Sequence, residues 1–131
     1  MPEKRTLKKA RAAKRAGMSP STQAGAFVHE EIEHVREGKH GARSTKQAIA
    51  IGLSKARRSG VKLKPPKRAK ASTRRQAARD SAKGRAGRAA PPSGRRSRAT
   101  LRALKREGRG AASREALSRQ ARATARRRRS R

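Results

Sequence analysis

PSTQAGAFVHEEIEHVREGKHGARSTKQAIAIGLSKARRSG, residues 20–60, is the stretch in which this chain has something to bury. Behind Ser19, Phe27, Val28, Ile32 and Val35 recur at helical spacing, Ala24 extends the stripe, and the acidic residues lie mostly opposite. From Thr45 to Ser59, Ala48, Ile49, Gly52, Leu53 and Ala56 form a second stripe, small enough for a helix to approach closely. Lys39 through Ser44 connect the two, so an antiparallel helical hairpin is expected over 19–60. Its core or interaction face is Phe27, Val28, Ile32, Val35, Ile49 and Leu53. Each large side chain contributes about 1.5–3 kcal/mol if fully covered, while ordering costs about 1–2 kcal/mol per residue. Two helices alone fall short, and a homo-oligomer through residues 20–60, or a partner, is expected to complete the core.

Outward from this segment the chain becomes overwhelmingly basic. Forty Lys and Arg face eight Asp and Glu, a net charge of +32 on 131 residues. Residues 1–60 hold 14 basic and five acidic side chains, and residues 61–131 hold 26 and three. Leu, Ile, Val and Phe number only thirteen, seven of them between 27 and 53. That fraction lies well below the roughly 20% under which high charge usually means disorder. The expected architecture is all-α: a basic, helix-capable segment at 1–18, the hairpin module at 19–60, and an Arg/Ala-rich tail at 61–131. The tail is expected to be largely disordered, or helical only on a polyanion, because neighbouring arginines repel one another.

Helix punctuation recurs along the chain. Candidate helices end at Gly17, Gly38, Gly60, Gly84 and Gly108. Ser44-Thr-Lys-Gln47 and Thr73-Arg-Arg-Gln76 have the capping-box form, and Ser19-Pro20 and Ser113 offer simpler caps.

The run GKHGARSTKQAIAIGLSKARRSG, within residues 19–66, resembles the core of a family of small, highly basic bacterial proteins known mainly as a domain of unknown function. The pieces TRRQAARDSAKG and LKREGRGAASREALSRQARATARRR are similar to tails of the same proteins. The resemblance implies a bacterial source and a DNA-binding role, and it carries no catalytic residues.

The connection from Gly38 to Thr45 is the most site-like feature. Lys39 and Arg43 flank a helix start whose backbone N–H groups and dipole favour a phosphate, and Ser44, Thr45 and Lys46 add hydroxyls and charge. It is not a Walker A loop, because a helix precedes it and His40 follows Lys39. The competing expectation is a polar turn with an ordinary cap. Beyond it, Arg57, Arg58, Arg74, Arg75, Arg95, Arg96 and the run Arg126, Arg127, Arg128, Arg129 are the expected nucleic-acid contacts. Nineteen Arg against two Lys follow position 70, and arginine pairs bidentately with phosphate.

Such contacts position a protein without reading bases. With no Trp or Tyr and one Phe, there is no platform for stacking on single strands. Duplex DNA is therefore favoured over RNA as partner, and a cytoplasmic, nucleoid-associated, histone-like protein is the expected function. The alternatives are an RNA-binding, ribosome-associated protein and a helical interaction module with a localising tail. No cofactor is expected, and no membrane partner, since no window approaches the roughly 18 apolar residues that span a bilayer. Neither catalysis nor a metal is expected. Cysteine is absent, and His29, His34 and His40 read as solvated or capping residues.

Overall fold

A computed structural model describes residues 2–86 and 94–129. The described residues are all helical, without strands: α1 (Lys4–Arg15), α2 (Pro20–Arg36), α3 (Thr45–Arg58), α4 (Ala71–Ala86), α5 (Gly94–Lys105), a short 3-10 turn (Gly110–Ala112) and α6 (Arg114–Arg129). The expected helical pair is present as α2 and α3. The tail corrects the expectation of disorder: α4, α5 and α6 occupy most of it, while residues 87–93 lie outside the described residues.

Three of the glycine stops act as read. Gly17, Gly38 and Gly60 take positive φ of 75°, 77° and 100°. At each the next residue's N–H reaches back five residues: Met18 to Ala13, Lys39 to His34 and Val61 to Ala56. These pairs are Schellman closures, which satisfy carbonyls that the last turn of a helix leaves open. The other two stops are corrected. Gly84 lies inside α4, and α5 ends at Lys105, three residues before Gly108.

The helix starts divide in the same way. Ser19 Oγ accepts from Thr22 N–H, Ser44 Oγ from Gln47 N–H and Ser113 Oγ from Ala116 N–H. Gln47 returns the bond to Arg43 N–H at 2.6 Å, one residue earlier than the usual box. The second expected box does not form. α4 begins at Ala71, so Thr73 is already in the first turn, and Gln76 donates instead to Asp80.

The chain divides into two compact units, and the division runs through α2 and α3. Unit 1 comprises residues 1–30 and 50–91. Its core is Ala10, Ala24, Phe27, Ala56 and Val61, with Leu7, Leu53 and Leu63 packed against it. Close approach is what this alanine-rich core uses in place of bulk. A Cβ on Gly52 would stand 2.6 Å from the Val28 Cα, and one on Gly84 would collide with the Arg57 carbonyl. Asp80, buried on α4, accepts from Ser54 at 2.7 Å and Gln76 at 3.1 Å, with Arg58 at 3.4 Å. Glu30, also buried, accepts from the Glu3 N–H and the Thr6 hydroxyl, with Lys55 at 4.0 Å.

Unit 2 comprises residues 31–49 and 92–131. Ile32, Val35, Ala42, Ala48 and Ala112 are buried there. The turn between α2 and α3 is bonded to the chain's later part: Gly41 N–H to the Leu104 carbonyl and Ala42 N–H to that of Gly108. Arg36 donates to the Ala112 carbonyl, and Thr45 to that of Ala111 at 2.6 Å. Of the expected core face, Phe27, Ile32 and Val35 are buried, and Val28, Ile49 and Leu53 are half-buried.

Candidate nucleic-acid interface

Cationic rows on single helices are the clearest surface feature. On α1, Lys4, Lys8, Arg11 and Arg15 follow a 4-3-4 spacing, are exposed, and line one shallow groove with Leu7. On α5, Arg95, Arg98, Arg102 and Lys105 follow 3-4-3, and on α6 so do Arg119, Arg122, Arg126 and Arg129, all exposed. These spacings place four cations on one face of a helix. The eleven steps from Lys4 to Arg15 on α1 span about 16 Å, roughly half a turn of duplex DNA. Like charges three and four apart cost a helix about 0.2–0.5 kcal/mol per pair, so each row stores repulsion that a polyanion relieves. Sequence reasoning that follows the densest run passes over the α1 row, although the spacing in KRTLKKARAAKR carries it.

The remaining expected contacts separate by environment. Lys39, Arg43 and Lys46 are exposed in and after the turn, and Arg74, Arg75, Arg96, Arg127 and Arg128 are exposed on their helices. Lys39 lies 3.4 Å from Glu37. Arg58 is exposed but shares its charge with Asp80. Arg57 departs from the expected role. It is buried, its guanidinium donates to the carbonyls of Leu63 and Lys64, and burial lowers its pKa against the opposing pull of Asp80. It holds the segment after α3 in place.

Several donors of the turn are engaged within the chain. The amides of Gly41 and Ala42 are spent on Leu104 and Gly108, that of Arg43 on Gln47, and that of Gln47 on Ser44. The Thr45 hydroxyl is buried and bonded to Ala111. A Cβ on Gly41 would collide with the Glu107 carbonyl, so the close approach this glycine permits is to its own chain. What the turn presents outward is the charge of Lys39 and Arg43.

Two of the three histidines differ from expectation. His29 is exposed, but His40 is 9% exposed and faces the buried Glu31, with His34 on the other side of that carboxylate.

Residues 11–68 match the model of a family of unknown function, DUF6496. The matched segment runs from mid-α1 through α2 and α3 to the stretch after them, and so takes in the turn and Glu31, His34 and His40. It is wider than the 19–66 stretch whose residues carry the resemblance. No curated protein and no solved structure matches the chain. Among the described residues no helix is long and apolar enough to cross a membrane.

Proposed function

We propose that the chain is a non-enzymatic, histone-like binder of duplex DNA that neutralises and compacts the nucleoid in the cytoplasm without sequence preference. The observation that carries this reading is the set of four-cation rows on α1, α5 and α6, each on a single helical face. A row of arginines meets phosphates bidentately, and release of condensed counterions drives association. The lack of Trp and Tyr supports duplex over single strands, since successive bases have no aromatic surface to stack on.

Fluorescence anisotropy of the full chain with length-matched duplex DNA, single-stranded DNA and structured RNA, each across a salt series, tests the reading. Duplex DNA should bind tightest, with log Kd steep in log salt. Replacing Arg119, Arg122, Arg126 and Arg129 by Gln should make the slope shallower by about 3 to 4, at roughly 0.9 for each phosphate no longer neutralised. An unchanged slope removes the α6 row from the interface. Preference for structured RNA at physiological salt replaces the nucleoid by the ribosome as the site of action.

A further inference from the structure

Glu31, His34 and His40 bring three metal-ligating atoms together within unit 2. One atom from each lies within 4.8 Å of the other two. Glu31 and His34 are three apart on α2 and so share a face. The Schellman turn at Gly38 then reverses the chain and brings His40 back against the same carboxylate. Glu31 is 1% exposed, His40 9% and His34 14%, so the cluster is largely buried, with His34 its most accessible member.

The geometry of His40 fixes what its ring offers. Its Nδ1 lies 2.8 Å from the Gly41 carbonyl, which can only accept, so Nδ1 carries a proton. In the neutral ring, Nε2 then turns a lone pair toward Glu31 Oε2, 3.3 Å away. Such a lone pair beside a carboxylate needs a cation between them, which a proton on Nε2 or a metal ion held by both groups would supply. A backbone carbonyl holding the far nitrogen is how metal-binding histidines are commonly oriented. On the other side, His34 Nδ1 stands 3.7 Å from Glu31 Oε1, beyond a good hydrogen bond. The His40 separation fits the edge of a zinc tetrahedron, about 3.3–3.5 Å for ligands about 2.0–2.1 Å from the ion. The His34 separation is longer and ends on the other oxygen of Glu31, so His34 has to move slightly inward to complete the site.

We propose that Glu31, His34 and His40 bind a divalent ion of the zinc type, with a solvent molecule in the fourth position on the His34 side. Two imidazoles and one carboxylate suit a borderline metal and not magnesium or calcium, which take oxygen ligands. The neutral histidines add no charge to a chain of +32, and Glu31 offsets half the charge of the ion. Bound there, the ion staples the end of α2 to the turn behind it. The site is independent of nucleic-acid binding, and the two can fail separately.

The test is zinc titration of the full-length chain without a polyhistidine tag, against a chromophoric chelator, with thermal melting in parallel. One zinc per chain should bind, magnesium should not compete, and zinc should raise the melting temperature, as a ligand of the folded state must. H34A, H40A and E31Q should each weaken zinc by more than about tenfold, the range already seen for changes that only reorient ligands. H29A, at an exposed histidine on the same helix, should leave affinity unchanged. Cobalt in place of zinc should give visible ligand-field bands that H40A abolishes. Zinc uptake that survives both histidine substitutions, or no zinc-dependent melting shift in the unaltered chain, overturns the proposal. The melting criterion holds even where a variant fails to fold.

Discussion

Two glycines inside helices show how much a single hydrogen atom decides here. Gly25, in α2, has nothing within 4 Å of where a Cβ would stand, whereas a Cβ on Gly84, in α4, would collide with the Arg57 carbonyl. Replacing a helix-interior glycine by alanine ordinarily stabilises by about 0.8–1 kcal/mol. Gly25→Ala should therefore raise stability by that amount, and Gly84→Ala should lower it by more than about 1 kcal/mol, since backbone has to move. Urea denaturation of both variants checks the opposite signs. In sequence the two residues look alike, and Gly84 is even the better candidate for a helix end. What separates them is an approach of α4 to α3 that no local pattern records. The positive-φ glycines are legible for the opposite reason: Gly17, Gly38 and Gly60 satisfy carbonyls of their own helix, a local need.

At the level of elements, caps sort the same way. Ser44 and Ser113 each hold an amide of the turn that follows, so Ser44→Ala and Ser113→Ala should each cost about 1 kcal/mol in a thermal or urea melt. Thr73 has the same motif but sits within α4, and Thr73→Ala should change stability by less than about 0.5 kcal/mol. α2 and α3 are readable because apolar side chains recur on one face of each. The tail helices read as conditional on a partner because Ala, Gly and Arg signal no core by hydropathy. Their packing rests on Ala77 and Ala112, and on polar residues such as Asp80 and Thr45, whose burial depends on partners distant in sequence. The same non-local dependence hides the metal-ligating cluster. Glu31 and His34 are three apart, but His40 joins them only after the Gly38 turn.

Over the whole molecule, a charge of +32 opposes any compact state, and salt is the simplest relief. Raising ionic strength from about 0.1 M to about 1 M shortens the Debye length from about 10 Å to about 3 Å. The melting temperature followed by far-UV circular dichroism should rise over that range, and duplex DNA at low salt should raise it further. A melting temperature indifferent to salt would mean that the buried acids Glu30, Glu31 and Asp80 already balance the local field. The bonds of Gly41 to Leu104 and of Ala42 to Gly108 also set a timetable. A ribosome delivers the chain from its N-terminus, and domains close in the order in which their parts emerge. The helices of unit 1 have all been made once Ala86 is out, whereas the amides of Gly41 and Ala42 must wait for Leu104 and Gly108 before they are paired. The nascent protein therefore passes through a stage in which every helix of unit 1 exists while the turn after α2 still lacks its later partners, the interval in which it most needs a chaperone.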